Sequence, residues 1–434
     1  MKKILLVLAA VTVAAAASAE GYQVNNLSSK QNGMGHVGTA MKLNSESLWF
    51  NPAAAVFQDT KFDISVGMTG IASKATYTSL PDYTGATKQT HYTSDNKLST
   101  PMFAYVNYKP LDWMSVGVAF NTPFGSSMNW GDDWAGSQLI QSINLAAYNF
   151  QPTVSFRIGK HFSIGGGLML TWGNFDLSRS LLPIGADNAQ NQALMGALQM
   201  LVPSMPDIFT LAGNRNLMSL GIEGSAKMAV GVNLGVMWDI NEQWSLGMNF
   251  RSKQLMKVDS GSIDLHMIDD PTIAQVIGQL LPQLGLDPTK LTSAVVRTEL
   301  PLPASMTWGV SFRPVPKWEF AIDLQYVLWS AYDKLDVQIL NPETPSMTKL
   351  AYTAGATFRP AKWMDIDIAY GYVNSADPER TGSYPYVNSV LGIVNEKLQA
   401  AGVPASQLTS AVTDFSGNYT ARAHTFSIGL NFHF

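Results

Sequence analysis

The chain of 434 residues contains no cysteine. That excludes disulfides, thiolate metal sites, a cysteine nucleophile and the lipidated cysteine of a bacterial lipoprotein. Charge is also scarce. Asp, Glu, Lys and Arg make up 14% of the chain, against about 25% in soluble globular proteins. Hydrophobic residues, at 46%, do not make up the difference, so much of the surface faces something other than water. A net charge of -4 argues against nucleic acid as partner. Beyond the first residues there is no run of about 20 apolar side chains, hence no candidate transmembrane helix. A chain of this kind enters a bilayer only as a closed β-barrel.

The N-terminus reads as an export signal. Lys2 and Lys3 precede an apolar stretch from Ile4 to Ala17, and Ala17-Ser18-Ala19 is a small-x-small cleavage site. Residues 1–19 are expected to be a cleaved signal peptide. The alternative, an anchor helix, suits the short Ala-rich run less well.

Strict alternation dominates the rest of the chain. Phe426, Ile428, Leu430, Phe432 and Phe434 share one face, with Ser427, Gly429, Asn431 and His433 on the other. The same period appears in Met114–Phe120, Phe162–Leu170, Trp244–Phe250, Met306–Phe312, Leu350–Phe358 and Met364–Tyr372. A soluble sandwich alternates too. Here, however, the intervening positions are mostly Gly, Ala, Ser, Thr and Asn, which suit a crowded barrel lumen better than a wetted surface.

The tight connections share a local text of aromatic, basic residue, often Pro, then an aromatic that opens the next strand. Tyr108-Lys109-Pro110 leads to Trp113, Phe156-Arg157 to Phe162, Phe312-Arg313-Pro314 to Trp318, and Phe358-Arg359-Pro360 to Trp363; Trp238 and Trp244 flank another turn. Ordinary hairpin chemistry would also place Pro there, but on one rim these rings form an interfacial girdle. The other connections are long, roughly 80–98, 125–139, 181–223, 261–298, 341–346 and 377–416. Short turns on one rim and long loops on the other is the outer-membrane arrangement. About 12 strands can be counted, and the number should be even. The terminal Phe434 suits recognition by the machinery that inserts barrels.

Three long loops carry helical spacing instead. Asp270 can cap a helix with Pro271 at its first position and Ile273, Val276, Ile277, Leu280, Leu281 and Leu284 along one stripe. Leu194, Leu198, Leu201 and Val202 form a second stripe, and Val387, Val390, Leu391, Val394 and Leu398 a third. These faces can pack on one another as a cap, or offer an apolar landing surface above the mouth.

The segment after the signal reads Gly21-Tyr22-Gln23-Val24-Asn25, Gly33-Met34-Gly35-His36-Val37-Gly38 and Asn51-Pro52-Ala53-Ala54. It resembles the N-terminal hatch of the FadL/TodX family of outer-membrane transporters for long-chain fatty acids and aromatic hydrocarbons. The likeness continues at Thr122-Pro123-Phe124-Gly125, Trp130, Asn149–Phe156, Pro301-Leu302-Pro303 and Trp329-Ser330-Ala331-Tyr332. The resemblance implies an all-β transmembrane antiparallel barrel of 14 strands, with a hatch over residues 20–58 inside a barrel of residues 59–434. It also implies an apolar ligand pocket near Gly21, Tyr22 and Gln23, with Asn51, Pro52 and Ala53 as a hatch motif facing a wall kink. Pro123, Phe124 and Gly125 would form that kink, through which ligand leaves sideways. A simple strand end at Pro123 and Gly125 is the other reading. The chain departs from the family after Tyr372, where a helix-like loop stands in place of a hairpin.

Gly33–Gly38 also fits G-x-G-x-x-G, but no βαβ unit surrounds it. The six histidines are scattered, and neither G-x-S-x-G nor H-E-x-x-H occurs. No catalytic residue, metal or cofactor is expected. The expected function is passive uptake of hydrophobic molecules such as long-chain fatty acids by a monomer in the outer membrane, in contact with its bilayer and lipopolysaccharide. A general porin for polar solutes is the alternative.

Overall fold

Alternation with small inward residues becomes strand in the computed structural model. It describes residues 22–79, 90–182, 184–201, 203–283, 296–315, 318–328, 349–375, 380–382, 385–386, 399–400, 402, 413–414 and 417–434. The strands are β1 (Phe62–Ser79), a short β2 (His91–Thr93), β3 (Met102–Leu111), β4 (Met114–Asn129), β5 (Ser142–Ile158), β6 (Phe162–Ser180), β7 (Met218–Asp239), β8 (Trp244–Arg251) and β9 (Gln254–Met267). Next come β10 (Val296–Leu302), β11 (Ser305–Val315), β12 (Trp318–Val327), β13 (Lys349–Ala361), β14 (Met364–Ser375), the short β15 (Arg380–Gly382), β16 (Pro385–Tyr386) and β17 (Thr413–Asp414), and β18 (Gly417–His433).

All ladders are antiparallel, and the main sheet runs β12-β11-β8-β7-β6-β5-β4-β3-β1-β18-β14-β13. β9 and β10 pair with each other and continue β8 and β11 upward. Among the described residues that path contains 12 strands, and β14 pairs directly with β18. Among the described residues no ladder joins β12 to β13.

The short turns gather the expected rings on one rim. Trp113 stacks on Phe156 at 6.2 Å, Trp244 on Phe312 at 4.3 Å, and Trp363 lies 6.3 Å from Phe432. The chain ends meet there too: Phe62 and Phe434 exchange backbone hydrogen bonds of 2.9 and 2.8 Å. Above this girdle the outward side chains of β7 and β12, such as Val230, Leu234, Ile322 and Leu324, are exposed and apolar. A surface like this is stable only against lipid.

Three expected loops are shorter than their sequence suggests; in one of them β9 runs on past Gly261 to Met267. In the other two β4 runs on past Gly125 to Asn129, and β7 begins at Met218, before Glu223. In each of these two a β-bulge hides the continuation. The register slips between Asn121 and Phe124 against β5, and between Thr171 and Gly173 where β6 meets β7. One extra residue swaps inward and outward positions, so a count at fixed parity stops at the bulge.

Helices over Ala189–Leu201, Ile208–Ala212 and Pro271–Gln283 cap the long-loop rim. Asp270 accepts from the backbone N–H groups of Thr272 and Ile273 at 3.1 and 3.3 Å, as its capping position requires. Leu194, Leu198, Phe209, Ile273 and Ile277 share one core with Leu177, Leu220 and Ile222 of the strands. The apolar stripes therefore pack on one another. The third stripe, Val387 to Leu398, lies outside the described residues.

Candidate functional site

Residues 22–58 do not join the wall as a strand. They fold inside the barrel through two short helices, α1 (Ser29–Gly33) and α2 (Ser47–Phe50), and two 3-10 turns at Asn44–Glu46 and Pro52–Phe57. The wall holds this plug mainly through its backbone. Ser155 donates to the carbonyl of Pro52 at 2.6 Å, Ser163 to Ala53 at 2.7 Å, Asn107 to Ala55 at 3.0 Å, Gln151 to Leu48 at 2.7 Å and Asn233 to Trp49 at 3.0 Å. In return the backbone N–H groups of Gly38 and Thr39 donate to Asp323 on β12 at 2.8 and 2.9 Å. Small inward residues make such close approach possible. A Cβ on Gly165 of β6 would lie 2.5 Å from the carbonyl carbon of Pro52.

Asn51 seats the motif Asn51-Pro52-Ala53. Its amide donates to Thr39 O at 2.7 Å and to Val236 O on β7 at 3.1 Å, and its oxygen accepts from the N–H of Ala53 at 3.1 Å. The motif thus faces β5, β6 and β7, away from the Pro123–Gly125 stretch it was expected to face. Pro52 and Ala53 need the Gly165 gap, and that lies on a different part of the wall.

The wall departs from a plain ladder at Pro123. β4 spends Thr122 and Pro123 where β5 has only Tyr148, because Asn121 faces Asn149 and Phe124 faces Ala147. Proline has no N–H to give the ladder. On its other side β4 loses β3 above the Phe103–Asn121 pair. The segment before β3 stays with β1 instead, where Ile71 and Ser99 exchange backbone bonds of 2.7 and 3.1 Å. The start of the plug occupies the gap. Val24 N donates to Pro123 O at 2.8 Å, Gly125 N donates to Tyr22 O at 2.8 Å, and Gln23 bridges Phe124. The tail is a guest strand at a split in the wall.

Tyr22, Gln23, Pro123, Phe124 and Gly125 are thus brought together, while Gly21 lies outside the described residues. Tyr22 packs on Phe124 with ring centres 5.9 Å apart, and its hydroxyl donates to Pro301 O on β10. Gly125 sits within β4 and is not a strand end. Two cavities flank this contact. One of about 780 Å³ lies on the long-loop side, between Val24, Leu98, Phe124, Met128, Trp130, Leu145 and Tyr419, with Ser and Asn between them. A smaller one of about 80 Å³ lies on the plug side, among Val24, Trp49, Phe50, Phe124, Met169, Leu302 and Arg251.

Sequence reasoning missed Arg251. Its guanidinium stands 4.2 Å from the Trp49 ring centre, and Nη2 donates to Trp49 O at 2.9 Å. Its buried Nε has no partner among the described residues. The signal was present: along β8 the inward positions read Ser245, Gly247, Asn249, Arg251, and a cation among small lumen residues is conspicuous. Glu46 was missed as well. It is 2% exposed on the plug, where burial pushes its carboxyl up to about 8 and Asp367 and Asp63 push the same way, against a hydrogen bond from Ser28 and the charge of Lys30. Among the described residues no cluster of His, Asp or Glu has the arrangement of a metal site.

The family profile described as outer membrane protein transport protein (OMPP1/FadL/TodX) matches residues 10–351. Outer membrane protein P1 of Haemophilus influenzae is 21% identical over 362 residues, covering 74% of this chain and 72% of its own length. Among solved structures, a FadL homologue of Pseudomonas aeruginosa superposes with a TM-score of 0.64 at 15% identity, over 96% of this chain and all of its own. The toluene transporter TodX of P. putida does so with a TM-score of 0.54 at 12% identity, over 96% and 99%.

Proposed function

Because this chain belongs to the OMPP1/FadL/TodX family of outer membrane transport proteins, we propose that it is a passive, hatch-gated channel for hydrophobic molecules, with long-chain fatty acids as the substrate class. It is an outer-membrane β-barrel, and we read it as a channel rather than an enzyme, working as a monomer whose Phe434 end is read by the insertion machinery. Residues 1–19 act as leader, 20–58 as hatch and 59–434 as barrel.

The observation that carries this reading is the tail Tyr22–Val24 lying as a guest strand against Pro123–Gly125, with a cavity of about 780 Å³ on one side of it. That volume is within the range of small-molecule sites, about 300–1,000 Å³. A tail held by a few backbone bonds can leave and re-pair, whereas a full ladder cannot. Its departure would join the two cavities and leave the β3–β4 split open toward lipid. An apolar solute then reaches the bilayer without crossing water. Arg251 supports an acid headgroup over a plain hydrocarbon, because this cation lines a cavity walled by Trp49, Phe124 and Leu302.

The test is reconstitution in liposomes with a fluorescent long-chain fatty acid and, separately, single-channel recording. Expected are saturable fatty-acid transfer and no steady ion conductance. A large stable conductance without fatty-acid transfer would instead establish the general porin.

A further inference from the structure

We propose that the outer face of the β1–β18 pair carries a binding site for the phosphorylated headgroup of an outer-leaflet lipid, centred on Lys74 and Arg422. The inference goes beyond the transport reading and rests only on the placement in the outer membrane. From the aromatic rim upward the outward positions of these strands are apolar: Ile64, Val66 and Met68 on β1, and Phe432, Leu430, Ile428 and Phe426 on β18. The run ends where Lys74 and Arg422 face each other as direct cross-strand partners, both exposed. Arg422 is 12 residues from Phe434 (434 − 422), so at about 3.3 Å per residue and a tilt of about 40° it stands roughly 30 Å above the rim. The apolar band of such barrels is about 25 Å tall, which puts the pair at the headgroups of the outer leaflet.

Two like charges directly opposite on adjacent strands destabilise a sheet. Among the described residues neither makes an ion pair. Two other exposed cations of the wall are neutralised within the protein, Lys227 by Asp259 at 2.5 Å and Lys257 by Glu299 at 2.7 Å. At Lys74 and Arg422 the balancing anion must come from outside. The neighbouring strand β14 sets Asn374 opposite Arg422, and the hydroxyls of Thr76 and Thr420 meet one position above. One step below, Tyr370 and His424 share a 2.8 Å hydrogen bond and form an amphipathic ledge at the interface. A phosphate monoester fits this set. Guanidinium binds it bidentately, ammonium adds a point charge, and amide and hydroxyls can donate. The lipid's acyl chains would lie on Phe426, Ile428 and Met68.

The experiment is native mass spectrometry of the full chain in detergent, titrated with bisphosphorylated lipid A, its dephosphorylated form, octanoate and inorganic phosphate. Wild type is expected to bind bisphosphorylated lipid A at least tenfold more tightly than the dephosphorylated form. The Lys74→Gln/Arg422→Gln variant should lose that preference. Lys74→Glu, which places a carboxylate opposite Arg422, should lose it too. Heat-modifiable gel migration confirms that each variant is a folded barrel. Undiminished preference in the double variant would overturn the assignment. So would equal binding of the dephosphorylated lipid, which would mean acyl contact only. Displacement of lipid A by stoichiometric phosphate or octanoate would also overturn it, since the site would then take a free anion.

Discussion

Glu46 turns the seating of the plug into a titration. Its carboxyl is buried at about 8 and, released to solvent, returns to about 4.5. A group whose value is raised in the seated state stabilises that state fully below 4.5 and loses the contribution as pH rises to 8. Between those limits the released form has lost its proton and the seated form has kept it, so each pH unit weakens seating by about 1.4 kcal/mol, or about 5 kcal/mol in all. Glu46→Gln removes the titration. The chain has no cysteine, so a single Ala54→Cys, at a site 1% exposed, gives the plug its only thiol. Labelling of that thiol reports opening. Dividing its rate in the Glu46 protein by the rate in the Gln variant cancels the thiol's own ionisation. The ratio should climb about tenfold per pH unit from 5 to 8 and then level off. A ratio that changes less than about threefold across that range would refute the argument. So would one that falls, since neighbours other than Asp367 and Asp63 would then dominate the site.

The same geometry yields three further outcomes. Gly165→Val drives a side chain into the Pro52 backbone; overpacking of about 1–3 kcal/mol should unseat the plug and appear as ion leak in planar bilayers. Arg251→Met should weaken fatty-acid binding about 10- to 100-fold, the worth of a charged hydrogen bond of about 1.5–3 kcal/mol, while leaving toluene binding unchanged in tryptophan-fluorescence titrations. Gly125→Val sets a Cβ 3.1 Å from Leu145 O and within reach of Val24. It should slow fatty-acid transfer without shifting the heat-modifiable band, and unaltered transfer would count against the lateral route.

The strands and the rim were legible because lipid imposes a period of two and amphipathic rings mark where it ends. Trp113, Trp244 and Trp363 carry that mark in the sequence itself. The bulges were not legible. Thr122 and Pro123 look like a strand end until the register shows Phe124 resuming on the inner face. Nor could the sequence place Asn51-Pro52-Ala53, whose position depends on which distant strands carry glycine, here Gly165 and Gly235. Arg251 escaped because a single inward charge is invisible to a search for clustered motifs. It acquires meaning only when Trp49 and the tail come to lie beside it.

The barrel grips its plug largely by main-chain carbonyls at Leu48, Trp49, Pro52, Ala53 and Ala55. A lock that reads main chain is indifferent to most side chains on the key. Substitutions along the plug's cavity-facing positions can therefore accumulate while it keeps its place. The taste of such a pore for one solute or another can drift through its cork, leaving the staves untouched.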